Sequence, residues 1–433
     1  MVFGDGLLIT KDAYSYTDSF INLVNTGQFT FDPSYGPASY GRLPGVTFVW
    51  GFFYLLFGKT YSYIAFALFQ ILLDVLACRM IFKIISKYFS SKIGIIVCWV
   101  YILFPLTFYF IVKTDSKYLA LFITIAVFYA LCFFKNNYKN YVVLALFLVM
   151  GFYIRETLIL LIPLSFFYIG KNFGFNFKQN ILMLFIMLIL YLPWPIRNYV
   201  KSGEIILIKP LSAGYVEYRE DITSYMYWLY AWHNDDVQDY LVYAYDLKRE
   251  SSFPEEIFNS EAEKKVAYNA IQLAQHCGSS FIIWQRKTEI LSDKYYGVYD
   301  GLIIRSFSFL KKNYKANHPF VYYIKVPFQN LAKAIFKNSL NNSASAPSFV
   351  FKITMIFRTT FLLIGILACL FFWKYDYFKI SFIYAGGIYF FICFILRQVE
   401  MRYLYQADVI MLIAAAAFVA DWILKRKREE IIA

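Results

Sequence analysis

Charge is scarce in this chain. Only 16% of its 433 residues are Asp, Glu, Lys or Arg, whereas 60% are hydrophobic and 22% aromatic. A soluble domain carries about 25% charged residues and about half or fewer apolar ones, so a soluble globular protein is excluded. Histidine is scarcer still. The three present (His233, His276, His318) are scattered without metal-ligand spacing, and neither a metal nor another cofactor is expected. Of six cysteines, Cys78, Cys98, Cys132, Cys369 and Cys393 sit inside apolar runs and Cys277 lies in a polar region. No Cys-x-x-Cys occurs, which argues against a disulfide framework and against a zinc site. No internal repeat is visible, and the opening residues do not read as a cleavable signal peptide. The net charge of +13 does not mark a nucleic-acid binder, because Lys and Arg cluster at the ends of greasy runs. Membrane topology and anionic lipid account for that placement.

What the chain has is long apolar runs, at about 60–82, 93–112, 116–133, 141–154, 157–170, 180–195, 350–373, 378–396 and 404–424. Many suffice, or nearly so, to cross about 30 Å of hydrocarbon. The fold class is therefore an all-α polytopic membrane protein. Residues 46–57 are apolar but short and read as an interfacial helix. The expected organisation is 1–59 as an outer loop carrying that helix, 60–195 and 350–424 as membrane helices, 196–349 as a mostly helical extracytoplasmic segment, and 425–433 as a cytoplasmic tail.

The positive-inside rule orients the chain. With "KRKR" in the cytoplasm, the connections 374–379, 171–178, 135–139 and 79–92 also fall inside. Together these carry 14 Lys and Arg, against five in the short outer connections 113–117, 155–156 and 397–402. Nine spans with the C-terminus inside place the N-terminus outside. The reading therefore expects a further span ahead of Met1, or "MVFGDGLLI" as the stub of a longer helix. The runs 141–154 and 157–170 have 14 residues each. At about 1.5 Å per residue each is shorter than the bilayer core, so Arg155-Glu156 is expected inside the protein. Within 196–349, "NSEAEKKVAYNAIQLAQH" opens with Asn259 or Ser260 as a helix cap. Residues 311–349 hold six lysines and no acid among apolar residues, as a basic amphipathic stretch on a membrane surface does.

This topology puts Asp12, Arg42, Lys113, Asp115, Arg155, Glu156, Arg197, Glu400 and Arg402 on one side of the membrane. Carboxylates can take a proton from an acceptor hydroxyl. Guanidinium and ammonium groups can hold a phosphate and stabilise charge developing on it as it leaves. Each residue also has a structural reading. Asp12 could sit in a turn, Asp115 could cap the helix starting near Ser116, and Arg402 could anchor at the interface. Arg155 and Glu156 could satisfy each other, and Arg197 could snorkel. Asp74, inside a span, is expected to pair with Arg79 or a neighbouring helix.

The order of motifs resembles the bacterial glycosyltransferases of the GT-C superfamily, the group with the protein O-mannosyltransferases and the aminoarabinose transferases that modify lipid A. The matching pieces are "KDAYSYTDSFINLVNTGQF" (11–29), "GRLPGVTFVWGFFYLLFG" (41–58), "FIVKTDSKYLALF" (110–122), "GFYIRETLILLIPL" (151–164), "LPWPIRNYVKSGEIILI" (192–208) and "VEMRYLYQADVIMLIAAAA" (399–417). Pro-Trp-x-x-Arg-Asn is the most specific of them. In that piece Pro193 and Pro195 are expected to stop a helix, with Trp194 at headgroup depth. The resemblance implies a bundle of about nine or ten membrane helices with juxtamembrane helices on the outer face. It implies an inverting transferase in the plasma (inner) membrane that moves a sugar from a polyprenyl phosphate to a lipid, glycan or protein hydroxyl. Asp12 would be the base, with Asp115 assisting or orienting. Lys113, Arg155, Arg197, Arg402 and Arg42 would meet the donor phosphate, with Tyr16, Glu156, Trp194 and Tyr403 in support. Two features depart from the pattern: the span expected ahead of the acidic loop is missing, and Asp115 stands where Glu is more usual. The alternatives are a polysaccharide polymerase or ligase of the O-antigen type and, more remotely, a transporter.

Overall fold

The computed structural model describes residues 8–9, 11–30, 42–174, 176–203, 205–208, 212–213, 216–217, 220–233, 238–246, 249–284, 297–336 and 349–432. Most of the stretch "MVFGDGLLI", residues 31–41 and the end of the lysine-rich stretch at 337–348 lie outside the described residues. Among the described residues the protein is all-helical apart from one antiparallel ladder of two residues a side, Ser212–Ala213 with Val216–Glu217.

The chain begins with α1 (Lys11–Thr26). Its buried Ala13, Tyr16 and Phe20 recur at helical spacing. They face α2 (Pro44–Tyr88), where Phe20 meets Phe48 and Tyr54 edge-on at 5.8 and 6.1 Å. The apolar stretch around 46–57 is a helical segment of its own. Gly58 interrupts α2 at φ 69° and ψ 178°, a conformation open to glycine at little cost. The run 93–112 is also broken: α3 (Ser91–Ile102) and α4 (Pro105–Ile111) meet at 62°. The antiparallel pair α5 (Ser116–Cys132) and α6 (Tyr138–Ile154) follows. Arg155 adopts an extended conformation after α6, and a 3₁₀ turn (Glu156–Leu160) leads into α7 (Leu161–Phe173). Arg155 is 6% exposed, so the junction does lie inside the protein.

α8 (Phe177–Tyr191) runs directly into α9 (Pro193–Ser202). Here the expected helix stop is overturned. Leu192 keeps helical dihedrals and Ile196 N–H bonds the Leu192 carbonyl at 3.1 Å, so Phe177–Lys201 is one rod of 25 residues. Pro193 and Pro195 forgo the N–H that would bond back along the rod, yet the backbone stays helical across them and the ladder resumes at Ile196.

Next come α10 (Glu220–Trp232), α11 (Gln238–Tyr245), α12 (Glu261–Cys277), α13 (Ser279–Trp284) and α14 (Asp300–Asn317). They enclose a second apolar core around Tyr225, Trp228, Leu229, Phe253 and Phe307, separate from that of the membrane helices. Ser260 caps α12 by accepting from Glu263 N–H at 3.2 Å, and Glu263 accepts from Asn259 N–H at 2.8 Å, a reciprocal arrangement close to a capping box. A π turn (Val321–Lys325) leads into α15 (Val326–Phe336). The chain closes with α16 (Phe349–Phe371), α17 (Asp376–Phe390) with its π turn Phe391–Leu396, and α18 (Met401–Ile432).

Among the described residues five helices are long and apolar enough to cross a membrane. The bent pair α3–α4 makes a sixth, and α5 and α6 are shorter apolar helices. α18 is the inner one. Its apolar window is 72% buried, against 28% for α2. Within this bundle Arg358 of α16 donates to both oxygens of Asp408 of α18 at 2.7 and 3.1 Å. Tyr389 donates to Asp408 at 2.6 Å. Arg358 also donates to the Ile335 carbonyl at 3.1 Å, which ties α15 to the bundle. Asp74 accepts from Tyr101 of α3 and Tyr118 of α5 at 2.5 and 2.8 Å, so its partners belong to neighbouring helices.

Candidate active site

The first turn of α1, the strand of chain before α2, the N-terminus of α5, the break after α6 and the first turn of α18 converge. Asp12 is the focus. Its Oδ2 lies 2.8 Å from Arg402 Nη1, and its Oδ1 lies 4.0 Å from Arg42 Nη2. The Asp12 side chain is 34% exposed. Burial pulls its pKa upward, but Arg402, Arg42 and Lys117 outweigh that pull and hold the carboxyl below the usual carboxylate range. Asp12 is therefore an ionised carboxylate in a cationic setting.

Each cation is itself positioned. Arg42 donates Nε–H to Ser15 Oγ at 2.8 Å and lies 5.0 Å from the centre of the Tyr16 ring. Ser15 Oγ donates in turn to the Asp12 carbonyl at 2.6 Å. Three residues past Arg42, at Gly45, a Cβ would lie 2.7 Å from the Tyr153 backbone. The Arg-x-Pro-Gly element thus lets α2 approach α6 beside Arg155. Arg402 is shared between Asp12 and Glu400, to which its Nε–H also bonds. Arg155 donates to the Arg402 carbonyl at 3.5 Å, and the guanidiniums of Arg155 and Arg402 each lie 5.3 Å from the Tyr403 ring centre. Glu156 acts electrostatically on both Arg42 and Tyr403.

Asp115 is 1% exposed and fully engaged. It caps α5 by accepting Lys117 N–H at 2.8 Å, and its other oxygen lies 2.6 Å from Lys117 Nζ. Lys117, overlooked in the sequence, is thus fixed within electrostatic reach of Asp12. Tyr16 joins the two acidic elements by donating its O–H to Ser116 Oγ at 3.2 Å. Lys113 is buried, with its ammonium 3.5 Å from the centre of the Tyr109 ring. Arg197 and Trp194 sit in a separate small cluster with Phe29 and Leu43. There Arg197 donates to the Phe29 carbonyl at 2.9 Å and Trp194 Nε1–H donates to the Ile208 carbonyl at 2.7 Å. Arg197 meets the backbone just after α1.

The structure thus brings together Asp12, Arg42, Tyr16, Arg155, Glu156, Arg402 and Tyr403, with Asp115 acting through Lys117. Among the described residues no group of three or more His, Cys, Asp and Glu is placed to hold a metal ion.

Residues 41–199 match the family model of the dolichyl-phosphate-mannose-protein mannosyltransferases. That segment contains Arg42, Lys113, Asp115, Arg155 and Arg197, while Asp12 and Arg402 lie outside it. A crystal structure of an Archaeoglobus fulgidus oligosaccharyltransferase in the apo form is similar at 13% identity and a TM-score of 0.48. The likeness covers 99% of this chain and 48% of that one, so the chain spans about half of that protein's length. No curated protein sequence matches. The match over 41–199 makes that part of this polytopic all-helical chain similar to the dolichyl-phosphate-mannose-protein mannosyltransferases.

Proposed function

We propose that the protein transfers a sugar from a polyprenyl phosphate to an acceptor hydroxyl at the extracytoplasmic face of the cell membrane, with inversion at the anomeric carbon. The observation that supports this is Asp12, an accessible carboxylate held between Arg402 and Arg42. In this reading Asp12 removes the acceptor O–H proton as the acceptor oxygen bonds to the anomeric carbon. The bond from that carbon to the phosphate oxygen breaks, and the polyprenyl phosphate leaves with its negative charge. Arg402, Arg42 and Arg155 lie where guanidinium forks can meet that charge, and Lys113 adds a buried ammonium. A leaving phosphate needs no general acid.

Asp12 in its present setting is a weak base, because Arg402 stabilises its ionised form. A phosphate competing for Arg402 would strip that stabilisation away and leave burial to raise the basicity of Asp12 as donor binds. Asp115 serves as a positioning residue, holding Lys117 and the α5 N-terminus against Tyr16. Arg197 positions the chain after α1 through Phe29.

The test supplies membranes containing the protein with radiolabelled polyprenyl monophosphate sugars, and separately with diphosphate-linked oligosaccharides. Label moving to acceptor from a monophosphate donor supports the reading. Transfer from diphosphate-linked oligosaccharides alone refutes it in favour of a polymerase or ligase.

A further inference from the structure

Away from Asp12, three cations gather where α14 meets the end of α17. Lys311 and Lys315 stand one turn apart on α14, a like-charge spacing that destabilises an isolated helix. Arg397 follows the π turn Phe391–Leu396 with φ 58° and ψ 19°, the left-handed region that a residue with a Cβ rarely occupies. Its guanidinium lies 3.8 Å from the centre of the Tyr322 ring, and the Lys315 ammonium lies 5.6 Å from that same ring and 5.2 Å from Tyr323. The Lys311 ammonium lies 4.7 Å from the Tyr227 ring.

Arg397 spends its hydrogen bonds on neutral carbonyls, those of Tyr322 at 2.6 Å, Tyr230 at 3.2 Å and Phe394 at 3.4 Å. Among the described residues none of the three forms an ion pair with a carboxylate, and the charges that bear on Lys311 are Arg397 and Lys315. Burial and that repulsion hold the Lys311 ammonium below the usual lysine range. Three uncompensated positive charges, two of them half-buried, are costly unless an anion completes the cluster. The exposed Phe320, Tyr323 and Phe328 extend the patch as an aromatic strip of the kind found at headgroup depth.

We propose that Lys311, Lys315 and Arg397 bind a phosphate ester at the membrane surface, presented by an anionic lipid headgroup or by a soluble phosphate ester. The two ammonium groups bind phosphate as point charges, and Arg397, held in place by its carbonyl partners, adds its positive charge beside them. Arg397 and Arg402 are five positions apart, so their Cα atoms lie within about 17 Å of each other. The site stands on its own charges and does not depend on the transfer reaction.

The test uses the purified full-length protein without donor sugar. Phosphatidylglycerol and phosphatidylcholine are titrated against it by native mass spectrometry, and glycerol phosphate by calorimetry. Wild type is expected to bind phosphatidylglycerol at least about tenfold more tightly than the Lys311→Gln/Lys315→Gln double variant. The Lys311→Arg/Lys315→Arg variant should retain binding, which separates lost charge from lost fold. Preference for phosphatidylglycerol with no binding of glycerol phosphate assigns the headgroup. Equal binding of both assigns the soluble ester. Equal retention of phosphatidylglycerol and phosphatidylcholine with no glycerol phosphate bound, or unchanged binding by the Gln variant, overturns the proposal.

Discussion

Replacing Arg402 with Gln removes the nearer of the two guanidiniums on Asp12, 2.8 Å away, and leaves Arg42 at 4.0 Å and Lys117 in reach. An opposite charge at such distances lowers a carboxylate pKa by about 1–3 units. Asp12 is 34% exposed and keeps two cations, so its pKa should rise on loss of Arg402, with solvent and the remaining cations moderating the change. The sign follows from the folded protein. With Arg402 present the pKa lies below the ordinary carboxylate value of about 3.9, so the base form persists as pH falls past that value. Without Arg402, burial acts against fewer cations and the pKa climbs. Stability follows the same direction. The contribution of Asp12 is present above about pH 3.9 and lost as pH falls through its folded pKa, and the variant loses it earlier. The assay is kcat/KM for sugar transfer across pH 3.5–7. The acid limb of Arg402→Gln should lie at higher pH than that of wild type, on top of a uniform loss from weakened phosphate binding. Coincident acid limbs would refute the reasoning, whatever the size of the uniform loss.

Three further outcomes follow. Asp115→Asn keeps a residue able to cap α5 but strands Lys117 without its carboxylate, and should cost about 3 kcal/mol, read as a lowered midpoint in thermal unfolding in detergent. Gly45→Ala places a Cβ 2.7 Å from the Tyr153 backbone and should cost about 1–3 kcal/mol while lowering transfer, measured by the same melt and by transfer rate. Arg358→Met should cost about 3–5 kcal/mol by leaving Asp408 buried and unpaired, and Arg358→Met/Asp408→Leu should recover most of it, as a double-mutant cycle of unfolding will show.

Much of the architecture was legible because it follows from composition and periodicity. The greasy runs became helices, Ser260 caps α12, and the Arg155 break lies inside the protein. What was missed shares one cause: the deciding partner is far away in sequence. α1 carries Ser, Thr, Asp and Tyr of modest helix propensity and reads as loop, yet Ala13, Tyr16 and Phe20 find a surface on α2. Arg358 and Asp408 are 50 residues apart, and nothing local announces their pairing. Lys117 reads as the polar start of a helix until Asp115 is seen folded back onto it. The prolines of Pro-Trp-Pro were read by their usual effect inside a helix, whereas the backbone stays helical across them and the ladder resumes at Ile196. The clustering of Asp12 with Arg42 and Arg402 was suggested by a shared side of the membrane. Its contacts, spanning 390 residues between Asp12 and Arg402, required the fold.

The account rests most heavily on Asp12 as the base. The direct test is transfer from a radiolabelled polyprenyl monophosphate sugar in proteoliposomes by wild type, Asp12→Asn and Asp115→Asn, with donor binding measured in parallel. The expected result is transfer abolished in Asp12→Asn with donor still bound, and reduced but measurable in Asp115→Asn. Undiminished transfer by Asp12→Asn would contradict the account and move the base elsewhere.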